Sequence, residues 1–165
     1  MLILIVRHGQ AGEQDATRYP DDTERPLTKA GKATHAGVSA ELVKRDLVPG
    51  AILSSPWKRA WQTAEIMAEE CSTKKNKLKP KAAPSLAQAP DLEAIKAEIE
   101  GIGETDIVAL VGHEPWLGEL ASLLLTGDPD RLSVDLPKSG VLGIETPLLE
   151  GGNGTLRFFF RPKLL

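Results

Sequence analysis

Three short runs of purely apolar residues constrain this chain most: Leu2 to Val6, Ala51 to Leu53 and Ile107 to Val111. None alternates apolar with polar residues. A strand of that kind is covered on both faces, as in a parallel sheet. The stretches between them have helical spacing. Thr28 can cap a helix reaching about Leu47, with Ala33, Gly37, Ala40 and Leu47 inward, and Pro49-Gly50 stops it. Ser55 stands where an N-cap belongs and Pro56 where the first helical residue belongs. Ala60, Ala64, Met67, Ala68 and Cys71 make one face of the helix that follows. A third helix runs from Asp91 to about Ile102, with Leu92, Ile95, Ile99 and Ile102 on one stripe. Pro115 opens a fourth, carrying Leu117, Leu120, Ala121, Leu124 and Leu125. Ser72 to Pro84, with Lys74, Lys75, Lys77, Lys79 and Lys81, reads as a solvated loop with room for a short strand at its end. Val141 to Glu145 and Thr155 to Phe160 read as an antiparallel hairpin joined through Gly151-Gly152-Asn153-Gly154.

Strands alternating with helices imply an α/β fold. The expectation is a three-layer sandwich: a mostly parallel central sheet, helices on both faces and an antiparallel C-terminal hairpin. With 165 residues and no linker, residues 1–165 read as a single domain. A net charge of −3 offers no dominant basic face, so a nucleic-acid partner is not expected. No run approaches the roughly 20 apolar residues of a membrane helix, and the start MLILIVRHG lacks the basic, longer apolar and small-residue segments of a secretion signal. Cys71 is the only cysteine, which disfavours a disulfide-stapled secreted protein and favours the cytoplasm.

In open α/β sheets ligands bind beyond the carboxyl ends of the strands. After the first run come Arg7 and His8. After the second come Ser54, Ser55 and the helix start carrying Arg59. After the third come Gly112, His113 and Glu114. Two of the chain's three histidines fall at these places, with two arginines. Guanidiniums bind phosphate bidentately, and helix N-termini add backbone donors. A neutral imidazole there can attack phosphorus while the arginines neutralise the equatorial oxygens. A second imidazole, if protonated, adds another donor. This chemistry requires no metal or other cofactor, and no metal-ligand spacing or GxxxxGK[ST] loop occurs.

MLILIVRHGQAG resembles the RHG signature of the histidine phosphatase superfamily, whose fold is phosphoglycerate mutase-like. RPLTKAG at Arg25 to Gly31, SSPWKRAWQTA at Ser54 to Ala64 and VGHEP at Val111 to Pro115 match further blocks in order. The short length and the RPLT string look most like the SixA branch of phosphohistidine phosphatases. The resemblance implies that His8 is the nucleophile, that Arg7 and Arg59 bind the phosphoryl group, and that His113 is the second pocket histidine. Arg25 matches an arginine that reaches the pocket in some relatives. Glu114 stands where some relatives carry an acidic general acid; the other reading is a polar residue favouring the helix dipole.

The implied function is a metal-independent phosphatase with a phosphohistidine intermediate, acting on phosphohistidine in a signalling protein. The alternatives are a small-molecule phosphatase or phosphomutase, and a non-catalytic phosphoprotein-binding module. Only about 40 residues separate Ala64 from Ile107, and two helices use most of them, leaving little for a lid. A monomer is expected. His35, mid-helix among Lys32, Thr34 and Ala36, reads as a surface residue, and Glu13 and Asp15 as solvated loop residues. Trp57, Trp61 and Trp116 flank the motifs and read as packing near the pocket floor or as a docking rim.

Overall fold

The apolar runs form the middle of one sheet. In the computed structural model, which describes residues 1–74 and 76–164, the elements are β1 (Leu2–Arg7), α1 (Lys29–Lys44), β2 (Ala51–Ser54), α2 (Lys58–Cys71), β3 (Lys81–Ala82), α3 (Leu92–Glu100), β4 (Ile107–Gly112), α4 (Trp116–Thr126), β5 (Val141–Glu145) and β6 (Thr155–Phe160). The sheet order is β3-β2-β4-β1-β5-β6. β1, β2, β3 and β4 run parallel, β5 is antiparallel to β1, and β6 returns antiparallel to β5. Of the basic run, Lys75 lies outside the described residues, and Lys81 ends it as part of β3. No described helix is long and apolar enough to cross a membrane.

Burial explains why the inner strands are apolar throughout. Successive side chains of a strand point to opposite faces. Ile3 and Ile5 of β1, with Val108 and Leu110 of β4, pack against Ile95 and Ile99 of α3 and Leu117, Leu120 and Leu124 of α4. Leu4 and Val6, with Ala109 and Val111, pack against Val38 and Leu42 of α1 and Ala60, Ala64, Met67 and Ala68 of α2. The two cores are the two outer interfaces of a three-layer sandwich, as the strand pattern implied.

Two helices depart from the sequence reading. Thr28 does cap α1, its hydroxyl accepting from the Gly31 N–H, but the helix ends at Lys44 rather than near Leu47. Its buried stripe is Gly31, His35, Val38, Ser39 and Leu42; Ala33 and Gly37 are exposed. Small residues were mistaken for the inward face because the true face includes two polar side chains. Helix α2 begins at Lys58, two residues after Pro56. Ser55 is therefore not its N-cap, and its hydroxyl is engaged elsewhere.

His35 is the clearest correction. It is 0% exposed, and neither ring nitrogen has a partner. Its α1 neighbour one turn on, Ser39, is equally buried and unpaired. Burial disfavours the charged imidazolium and lowers the His35 pKa from 6.5 to about 4. Between those values the unfolded chain takes up a proton that the folded chain refuses. Stability therefore falls as pH drops through that window and levels off below about 4. We expect His35→Leu to flatten this loss, by up to about 3 kcal/mol across the window. Urea midpoints of both proteins between pH 7 and 4 measure it, and parallel curves would contradict it.

Candidate active site

Strand register brings the motif residues together. β1 pairs with β4 so that Arg7 lies opposite Gly112, and the His8 N–H donates to the Gly112 carbonyl at 3.1 Å. β2 pairs with the other side of β4, and the Ser55 N–H donates to the Val111 carbonyl at 2.9 Å. His8, Ser55 and His113 thus leave the sheet side by side. The rings of His8 and His113 have centroids 5.2 Å apart.

A carbonyl fixes the tautomer of His8, and a hydroxyl faces His113. His8 Nδ1 lies 2.7 Å from the Gly9 carbonyl oxygen, which can only accept, so Nδ1 carries the proton and Nε2 the lone pair. His113 Nε2 lies 2.8 Å from Ser55 Oγ. That oxygen also accepts from the Trp57 N–H at 3.3 Å, and where its own hydrogen points at His113, Nε2 is the acceptor. His113 then keeps its proton on Nδ1, a buried donor without a partner. Burial, with Arg59 and Arg7 nearby, lowers the pKa of His8 to about 3. Burial lowers that of His113 to about 3 as well, with contributions from His8 and Arg59. Both rings are neutral at physiological pH. Protonation is not needed for His113 to act as a donor, because the neutral ring with its proton on Nδ1 also donates.

The arginines come from the ends of β1 and the start of α2. Arg7 Nη1 donates to the Leu136 carbonyl at 2.7 Å. Arg59 Nη1 donates to the Asp22 carbonyl at 2.8 Å and pairs with its carboxylate at 3.2 Å. The Nε atoms of both arginines are buried without partners. Arg25 binds Asp22 through Nε at 2.8 Å and the Gly12 carbonyl through Nη1 at 2.7 Å. It sits one residue removed from Arg59, with Asp22 between them. Its hydrogen bond holds the Asp22 carboxyl below the usual range, so Asp22 is ionised. Glu114 Oε2 accepts from the Gly118 N–H at 3.2 Å, closing the first turn of α4, while Oε1 is buried and unpaired. Burial raises its pKa, opposed by that hydrogen bond and by Arg7.

The RPLTKAG segment supports the loop after His8. Leu27 bridges Ala11, and the Thr28 N–H donates to the Gln10 carbonyl at 2.8 Å. A Cβ on Gly31 would stand 2.2 Å from the Gln10 carbonyl oxygen, so only glycine permits this approach. Thr63 was not recognised as part of the site. Its hydroxyl accepts from the Gly9 N–H at 3.0 Å and donates to the Arg59 carbonyl at 2.7 Å, joining the loop after His8 to α2. Thr63 lies one turn beyond Arg59, which places it on the same face, but nothing local announces Gly9. Asp22 was also missed, because an acid among turn residues reads as solvent-facing. Trp57 and Trp116 are partly buried beside His113, with ring centroids 4.5 and 6.2 Å from it. Glu13 and Asp15 are exposed, as expected.

A model of the histidine phosphatase superfamily (branch 1) matches residues 3–84. An uncharacterized protein of Picosynechococcus sp. is 34% identical over 150 residues, covering 88% of this chain and 86% of the relative. The structure of the protein histidine phosphatase SixA complexed with tungstate superposes with a TM-score of 0.80 at 24% identity over 99% of both chains. A phosphoserine phosphatase of Entamoeba histolytica superposes with a TM-score of 0.66 at 14% identity, over 99% of this chain and 98% of that one. The fold is phosphoglycerate mutase-like, and it serves proteins named for different phosphorylated substrates.

The Ser55 contact generates a test. Ser55→Ala removes the hydroxyl that faces His113 Nε2, at a cost of about 1 kcal/mol. Inorganic phosphate should bind about 5-fold more weakly by calorimetry, with thermal unfolding lowered by only about 2–4 °C. Unaltered phosphate affinity would refute the tautomer argument.

Proposed function

We propose that this chain, which belongs to the histidine phosphatase superfamily and is by that membership a phosphatase, hydrolyses phosphohistidine in a protein through a covalent intermediate on His8. One observation carries the reading. Three nitrogens able to donate, Arg7 Nε, Arg59 Nε and His113 Nδ1, are buried without partners, on two arginines whose charges act on His8 and a histidine whose ring lies 5.2 Å from it, and the neutral His8 keeps the lone pair of Nε2. Buried donors are ordinarily satisfied, and an unsatisfied set signals a bound acceptor. A phosphoryl group supplies such oxygens and an electrophile at their centre.

In the first step the His8 Nε2 lone pair bonds to phosphorus as the substrate's P–N bond breaks. The departing imidazole takes a proton from solvent. In the second, water attacks the phosphorylated His8, inorganic phosphate leaves and Nε2 recovers its lone pair. The arginines and His113 hold the equatorial oxygens during both displacements. Histidine and arginine supply nucleophile and charge stabilisation, so no metal is needed. Asp22, already bound to Arg59, holds that guanidinium in place while its Nε stays free.

The choice of a protein substrate is supported by how the chain is spent. Among the described residues between α2 and β4, the regular elements are β3, one turn of 3-10 helix and α3, and Ile95 and Ile99 of α3 are buried in the core. That leaves little to close over a small molecule. A cytoplasmic setting and a monomer are consistent with the buried, unpaired thiol of Cys71 and the modest charge.

Wild-type protein quenched in acid-free denaturant during turnover should carry acid-labile phosphate, absent from His8→Ala. Stable phosphoserine, or no label in a single turnover, would exclude the covalent route. Glu114 separates the substrate readings. Its bond to Gly118 supports a role in the helix start, so Glu114→Gln should lower hydrolysis of phosphohistidine and alkyl phosphates alike, by about 0.3–1 kcal/mol. A selective loss on alkyl phosphates above about 10²-fold would identify a general acid and favour monoester substrates.

A further inference from the structure

Beside the candidate site lies a groove of about 640 Å³, between the start of α1, the segment entering β5 and the C-terminal Arg161–Lys163. Gln10, Thr34, Lys138, Ser139, Arg161 and Lys163 are among its lining residues. It adjoins the nucleophile: the Ser139 N–H is shared by the carbonyls of Arg7, at 3.2 Å, and His8, at 3.1 Å. Gln10 follows His8 by two residues.

We infer that this groove receives an acidic segment of the phosphoprotein substrate, next to its phosphorylated residue; the inference rests on the function proposed above. Three observations lead there. Lys138, Arg161 and Lys163 converge on the groove in a chain of net charge −3, and among the described residues no carboxylate lines it. The nearest acid in the bonding pattern, Asp135, pairs with Arg161 at 3.1 Å from outside that lining. Ser139, at φ +61°, is among the lining residues but only 1% exposed, and its buried, unpaired hydroxyl lies against Gly9. A non-glycine residue in the left-handed region with an unpaired buried hydroxyl is costly and is common at ligand contacts. The groove is also far larger than the phosphoryl group, which the arginines already address. A ligand spanning both places gains from each, because the second contact becomes intramolecular. Exposed cations attract such a segment most strongly at low ionic strength.

The test uses two phosphohistidine peptides of equal length, one with glutamates and one with serines flanking the phosphorylated residue. The wild-type protein should favour the acidic peptide at least 10-fold in kcat/KM at low salt, through KM. In 0.5 M sodium chloride the preference should vanish. In Arg161→Gln/Lys163→Glu, which leaves Lys138 and its charge beside His8 in place, it should also vanish, while kcat/KM for phosphoramidate stays at the wild-type value. Equal kcat/KM for the two peptides, or a preference that survives in the double variant, overturns the groove. If neither phosphohistidine peptide turns over, the phosphohistidine reading fails by itself. The same pair as phosphoserine peptides then decides the groove by the same preference or its absence.

Discussion

The pairing of β1 with β4 is the constraint on which everything else depends. Its register sets Arg7 opposite Gly112 and lets the His8 N–H close on the Gly112 carbonyl. A slip of one residue would exchange the two faces of β1, moving Ile3 and Ile5 into the core that Leu4 and Val6 occupy. Two full cores resist that slip. The precision of a few polar contacts is thus supplied by apolar packing several residues away. β2 on the opposite edge of β4 delivers Ser55 in the same manner.

The site is polar, buried and incompletely satisfied, which ordinary folding would disfavour. Burial keeps both imidazoles neutral beside two guanidiniums. A carbonyl then fixes the tautomer of His8, and a hydroxyl faces His113 Nε2. Donor directions are thereby set before any anion arrives, so little reorganisation accompanies binding. Asp22 has a balancing role, because it holds Arg59 and Arg25 without saturating Arg59.

Much of this was legible in the chain. β1, β2 and β4 were evident because strands covered on both faces cannot hide polar residues. That Arg7, His8, Arg59 and His113 gather at one edge of the sheet was legible because they follow strands that run parallel, and the geometry sets the two imidazoles side by side. What escaped was of another kind. Thr63, Ser55 and Asp22 act through partners 54, 58 and 37 residues away, and residue type alone does not reveal such contacts. His35 escaped because polar neighbours in sequence are not neighbours on a helix face. The face of α1 is set by the i, i+4, i+7 geometry of Gly31, His35 and Val38, whatever their polarity.

The strand order has a consequence for synthesis of the chain. Both sheet neighbours of β1, β4 and β5, are made after about the first hundred residues. Until they emerge from the ribosome, Leu2 to Val6 presents two unpaired edges, and the face bearing Ile3 and Ile5 lacks α4. Such a strand invites pairing with other chains. The long sequence separation also slows closure. His8 acquires its neighbours only then, so a nascent or truncated chain ending before β4 is catalytically silent. Activity is thus a property of the finished sheet, gained only once its central strand has both neighbours.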